Sequence, residues 1–157
     1  MDRVNSILNH PTYKILLEEL QELEKDRIFC KHSLAHFLDV ARIAYIQVLE
    51  RGLRYKKDII YAISLLHDIG RVEEYKVGTD HEIASVNIAR EILSDLDFSE
   101  EEVESICNCI EKHRVEPEDE LAKIIYDSDK SSRTCFSCKA SSLCKWPLEK
   151  KNSLLKN

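Results

Sequence analysis

An apolar run, Ile59-Ile60-Tyr61-Ala62-Ile63-Ser64-Leu65-Leu66, passes without a break into His67-Asp68-Ile69-Gly70. A helix apolar on nearly every side belongs at the centre of a fold, so this stretch fixes what the other segments must pack around. Consecutive helical side chains point roughly 100° apart, and His67 and Asp68 can therefore grip one ion only near a loosened helix end. Gly70 is expected to supply that end, where the helix dipole leaves about half a negative charge that favours a cation. Taken alone, the pair favours a hydrogen-bonded core histidine beside a polar helix terminus. The rest of the chain decides.

The sequence holds only 3 Gly and 3 Pro among 157 residues, with 33% charged side chains and abundant Leu, Ile, Glu and Lys. This composition predicts an all-α fold, and the length suits one domain with a short appendage. A formal net charge of −6 argues against a general nucleic-acid surface or an anionic membrane as partner, while leaving room for a local phosphate pocket. No run of about 18 apolar residues and no charged-then-apolar leader occurs, so a cytoplasmic protein without a membrane span is expected. In that reducing compartment the 6 Cys are expected as thiols or metal ligands rather than disulfides.

Residues 1–10 predict a short helix closed by His10 before Pro11. Thr12 is the expected N-cap of a packing helix carrying Ile15, Leu16, Leu17, Leu20 and Leu23. Residues 31–51 predict a helix ending at Gly52, with Leu34, Phe37, Leu38, Ala41, Ala44, Tyr45, Val48 and Leu49 on one stripe. His32, His36, Val40 and Ile43 lie on an adjoining face. Beyond the central helix and a polar connection, Thr79 with Glu82 and Ser99 with Glu102 have capping-box spacing. They start helices carrying His81 and His113 respectively. Pro117 suits a first helical position for a helix through Leu121, Ile124, Ile125 and Ser128 to Asp129. After Asp129 the composition turns Ser- and Lys-rich, and a domain of residues 1–131 is expected to give way to a tail, 132–157.

His36, His67-Asp68, His81, His113 and Asp129, in this order on predicted helices, resemble the HD-domain superfamily of metal-dependent phosphohydrolases over about residues 31–131. His36-Phe37-Leu38-Asp39-Val40-Ala41 is similar to the family's opening helix. His67-Asp68-Ile69-Gly70-Arg71 is similar to its signature, with Arg71 where Lys is frequent, and Asp129-Lys130 to its closing Asp. The resemblance implies a single helical HD-type bundle in which His36, His67, Asp68 and Asp129 hold a divalent ion, and His67 and Asp68 are catalytic. His81 and His113 match the extra histidines of two-metal members, or else contact substrate phosphate. Imidazole and carboxylate suit Mn, Fe, Co, Ni or Zn, and two such ions can activate water against a phosphoryl group. His32, Arg71, Arg114 and Lys130 are weaker candidates for substrate contact, as is Lys112; Asp127 competes with Asp129.

Cys135, Cys138 and Cys144 place three thiols within ten residues, and Cys30 is a candidate fourth ligand for zinc or an iron–sulfur cluster; free thiols are the alternative. Cys107 and Cys109 lie two apart on one helix, where at least one is expected to pack as a small hydrophobe. The function implied is hydrolysis of a phosphomonoester or phosphodiester of a small molecule, a nucleotide among the candidates. The alternative is a non-catalytic metal- or nucleotide-binding sensor with a redox-responsive Cys tail. Oligomeric state is not legible.

Overall fold

The computed structural model describes residues 1–114 and 116–155. Its helices are α1 (Asp2–Asn9), α2 (Pro11–Leu23), α3 (Leu34–Glu50), α4 (Lys57–Leu66), α5 (Arg71–Val77), α6 (His81–Ser94), α7 (Glu100–Glu111) and α8 (Glu120–Ser131). Two 3₁₀ turns follow, Cys135–Ser137 and Leu148–Lys150, and the described residues contain no strand. The fold is all-α, as the composition implied. No helix among the described residues is long and apolar enough to cross a membrane.

Helix α4 is the axis. Ile59, Ile60, Ala62, Ile63, Ser64, Leu65 and Leu66 are all buried, and α4 packs against α1, α3, α6, α7 and α8. Each fully buried Leu or Ile contributes on the order of 2 kcal/mol, so this helix anchors the loop that follows it. Helix α3 buries Phe37, Val40, Ala41, Ala44 and Val48 against α4 and α8, which turns His36 toward their junction. Val40 is therefore core, not part of a second polar face. Leu49 is exposed, and Arg51-Gly52 leaves the helix with Gly52 at φ +65°, a left-handed conformation that favours glycine.

Gly70 plays a different part from the one expected. Its φ of −69° is right-handed, so it is not a left-handed helix stop. A Cβ there would stand 2.3 Å from the Ser85 backbone nitrogen, and the Gly70 N–H donates to Ser85 Oγ at 2.9 Å. Glycine is needed because α6 crosses against this turn, which draws His81 toward Asp68.

Other boundaries depart from expectation for local reasons. Helix α2 begins with Pro11 at its first position and His10 as N-cap, so Thr12 is inside the helix. Only Tyr13 and Leu20 are buried on it, while Ile15 and Leu23 face solvent. The polar connection after the central helix is itself helical, α5, with Val72 as its buried residue. Asp80 rather than Thr79 caps α6, without a side-chain bond. The Ser99–Glu102 capping box is present. Helix α8 starts at Glu120, capped by the Asp119 carboxylate accepting from the Ala122 N–H, so Pro117 lies before it. Cys107 and Cys109 are both buried hydrophobes of α7.

Candidate metal centre

Three helix ends and two helix starts meet at a single point. His36 comes from the first turn of α3, His67 and Asp68 from the end of α4, His81 from the start of α6, His113 from just beyond α7, and Asp129 from the last turn of α8. One donor atom from each of His36, His67, Asp68 and Asp129 lies within 4.8 Å of the others, as do donors from Asp68, His81 and His113. Ligands about 2.1 Å from a shared ion stand roughly 3.0–4.2 Å apart, so both groups come close to single-ion dimensions. Asp68 belongs to both. Its Oδ2 is 3.3 Å from His67 Nε2, whereas Oδ1 is 3.2 Å from His81 Nε2 and 3.5 Å from His113 Nε2. The carboxylate thus presents one oxygen to each group.

Every imidazole is held by its other nitrogen. His67 Nδ1 donates to the Ser64 carbonyl at 2.7 Å and His113 Nδ1 to the Ile110 carbonyl at 2.5 Å. His81 Nδ1 lies 3.1 Å from Glu74 Oε1. Ser132 gives its hydroxyl proton to the Asp129 carbonyl, leaving its lone pair to accept from His36 Nδ1 at 3.3 Å. Each bond favours the tautomer that leaves Nε2 unprotonated, the arrangement a metal-binding histidine requires, although the Arg71 guanidinium reaches His81 Nε2 at 3.3 Å. His36 Nε2 and His67 Nε2 are buried with no hydrogen-bond partner. A buried lone pair left so costs on the order of 1–3 kcal/mol, which a bound cation would remove. The residues present fit a pair of divalent ions.

The electrostatics agree. Burial would raise the Asp68 carboxyl, but His67 and the hydrogen bonds around it hold it well below the usual carboxylate range. Asp129 is likewise driven low despite burial, by Lys130 and Arg133. Burial and the adjacent His67 push His36 down to about 4, keeping its ring neutral at pH 7. Burial also lowers His81. His67 goes the other way, because Asp68 outweighs its complete burial.

The centre forms the floor of a cleft of about 720 Å³. His32 lines it, buried rather than solvated, with Nε2 3.6 Å from Asp68 Oδ2 and Nδ1 2.5 Å from Glu24 Oε1. Arg71 lines it too, donating to Asp68 Oδ1 at 3.0 Å and to Glu74 at 2.9 Å. Lys130 donates to Asp129 Oδ2 at 2.8 Å, and Arg114, half exposed at the rim, pairs with Glu82. Lys112 does not line the cleft. Asp127 pairs with Lys123 and joins neither donor group.

Several contributors carried no expectation. Glu24 grips both the backbone N–H and the ring of His32, and a lone Glu at the end of α2 has no sequence signal. Glu74 orients His81, and Ser132 orients His36. Arg133, which donates to Asp129 Oδ2 at 3.1 Å, was findable, since it stands four residues after Asp129 on a helical path.

Residues 33–134 match the HD domain family. The chain belongs to it. An uncharacterized protein of Clostridium beijerinckii is 49% identical over 152 residues, 97% of each chain. Ribonuclease Y of Mesoplasma florum is 31% identical over 76% of this chain, and that of Mycoplasma mycoides subsp. mycoides 29% over 74%. This HD-domain chain spans only about a fifth of those ribonucleases' length, 22% and 21%. The fold resembles the crystal structure of a predicted HD superfamily hydrolase from an uncultured Thermotogales bacterium. The TM-score is 0.64, with 22% identity over 88% of this chain and 80% of that one.

Proposed function

We propose that this HD-domain protein is a metal-dependent phosphohydrolase acting on a phosphomonoester or phosphodiester of a small molecule, a nucleotide being the favoured class. The observation that carries the reading is the Asp68 carboxylate aimed at two donor groups, beside two buried imidazole nitrogens that have no other partner. His36, His67, Asp68 and Asp129 would hold one divalent ion, and Asp68, His81 and His113 a second. Such a pair, when bound, supplies Lewis acidity toward a phosphoryl group and a hydroxide nucleophile near neutral pH.

The chain's own residues do the rest. Asp68 and Asp129 are held ionised, so neither has to shed a proton before binding a cation. Arg71, Lys130 and Arg114 point cationic groups into or across the mouth, where a phosphate's outer oxygens would sit. Phe29, Tyr126 and Trp146 supply flat apolar surface on the same walls, which suits a nucleobase. The partial likeness to ribonuclease Y is in keeping with a phosphodiester as the bond broken, without extending to that protein's whole activity.

The test is metal analysis of the purified protein, followed by a panel of nucleoside monophosphates, cyclic nucleotides and nitrophenyl phosphates with Mn, Ni, Co or Fe. Metal-dependent turnover that disappears in Asp68→Ala is expected. Tight nucleotide binding without turnover under every metal would favour the sensor alternative and overturn the enzyme reading.

A further inference from the structure

The residues after α8 invert the usual pattern of burial. Phe136, Leu143, Leu148, Leu154 and Leu155 are exposed, Leu148 by 84% and Leu143 by 66%. Cys135, Cys138 and Cys144 are all more sheltered than these side chains. Among the described tail residues only Ala140 and Asn152 are buried, so apolar burial does not account for an ordered path. The three tail thiols are half-buried, while Cys30 across the cleft is exposed.

The path is nevertheless definite. Cys138 N–H donates to Cys135 O at 3.3 Å, Ser141 N–H to Cys138 O at 3.1 Å, and Cys144 N–H to Ser141 O at 3.4 Å, which strings the three cysteines on successive tight turns. The Lys151 ammonium ties Ser141 O to Cys144 O, and the Asn152 amide reaches the carbonyls of Lys130, Ser131 and Arg133. The tail is thereby folded back on the end of α8. Cys30, from the loop between α2 and α3, lines the same cleft as Cys135 and Cys144. Desolvation of its sulfur, reinforced by the charges of Cys135 and Cys138, raises the Cys30 thiol, and Arg133 opposes them. Arg133 also keeps one buried guanidinium nitrogen, Nη1, without a hydrogen-bond partner. A cation with a spare donor thus lines the same cleft as Cys30, Cys135 and Cys144.

Spacing separates the two kinds of occupant. Four thiolates around one zinc, each about 2.3 Å away, would stand roughly 3.8 Å apart. Among the described residues no three cysteine sulfurs lie within 4.8 Å of one another, although the six His and Asp ligands in the same chain meet that limit in two groups. A cubane binds each thiolate to a different iron, which separates the sulfurs to roughly 6–7 Å, and its net negative charge is matched by nearby donors. We infer that Cys30, Cys135, Cys138 and Cys144 hold a [4Fe–4S] cluster that fastens the tail to the cleft wall, with the spare Arg133 N–H directed at it. Through its other nitrogen Arg133 holds Asp129, so the cluster and the metal centre share one side chain.

The experiment is anaerobic purification of the full chain, with iron, zinc and acid-labile sulfide counted per chain and a spectrum taken before and after dithionite. About four sulfides per chain and a visible band bleached by reduction are expected. Sulfide distinguishes the cluster from iron in the His/Asp centre, so Asp68→Ala should keep it while Cys138→Ser and Cys30→Ser lose it. If the cysteine variants fail to fold, the wild-type sulfide count still decides. One zinc without sulfide, iron without sulfide, or four freely titrating thiols in the anaerobic protein would each overturn the inference.

Discussion

The cleft has two sides built by different means. On its floor, side chains arrive from the ends of long helices whose apolar faces are buried, and each imidazole is oriented by a hydrogen bond to backbone or a neighbouring side chain. On the tail side, order rests on Asn152, Lys151, the stacking of Arg133 on Trp146 at 3.8 Å and the tight turns that string the cysteines. The floor is set by helix packing and by these hydrogen bonds. The tail wall rests on a few polar ties.

Asp68→Ala has the largest expected effect. It should abolish metal retention at the His/Asp centre and lower hydrolysis on the order of a thousandfold or more, because both donor groups lose their shared member. Circular dichroism should show nearly unchanged helix content. Unfolding would instead mean that Asp68 serves the fold, and the contrast between floor and wall would collapse. His81→Ala and His113→Ala come next, each expected to reduce the metal of the His/Asp centre from two equivalents toward one, as read by metal analysis of the dialysed protein reconstituted with Mn. One equivalent in the wild type at saturating metal would leave these histidines as substrate contacts.

Gly70→Ala sharpens the comparison through stability. A Cβ 2.3 Å from backbone should cost about 3 kcal/mol or more in chemical denaturation, though no ligand is changed. Leu148→Ala, exposed on the tail, should stay within about 0.5 kcal/mol. Equal costs would refute the claim that only the floor depends on packing.

How much of this was legible follows the same division. The order His36, His67-Asp68, His81, His113, Asp129 was readable because it resembles the HD-domain pattern, carried on helices that periodicity could place. The reason for Gly70 was not, because a close approach between α6 and the loop after α4 is a property of two distant segments. Helix α5 was missed because Arg71–Val77 buries a single valine and leaves no periodic stripe. Pro117 misled because the Asp119 carboxylate caps α8 instead. Ile15 and Leu23 show that apolar spacing alone overstates burial on a helix that packs on one narrow side.

Glu24→Gln is a smaller effect than Gly70→Ala and carries a pH signature. Burial would raise the Glu24 carboxyl, but its bonds to His32 and Tyr75 bring it down to about 2. A depressed carboxyl contributes stability above its unfolded value near 4.5, and that contribution is lost as pH falls toward 2. The stability gap between wild type and Glu24→Gln should therefore be widest above about pH 5 and close on acidification. A gap that does not change with pH would remove Glu24 as the ionised anchor of His32.

The central claim is that one carboxylate joins two ion sites. Anomalous diffraction from crystals soaked in Mn tests it directly. Two peaks about 3.5–4 Å apart are predicted, the first within about 3 Å of His36, His67, Asp68 and Asp129, the second of Asp68, His81 and His113. No peak at Asp68, or a peak shared by none of these side chains, would contradict it.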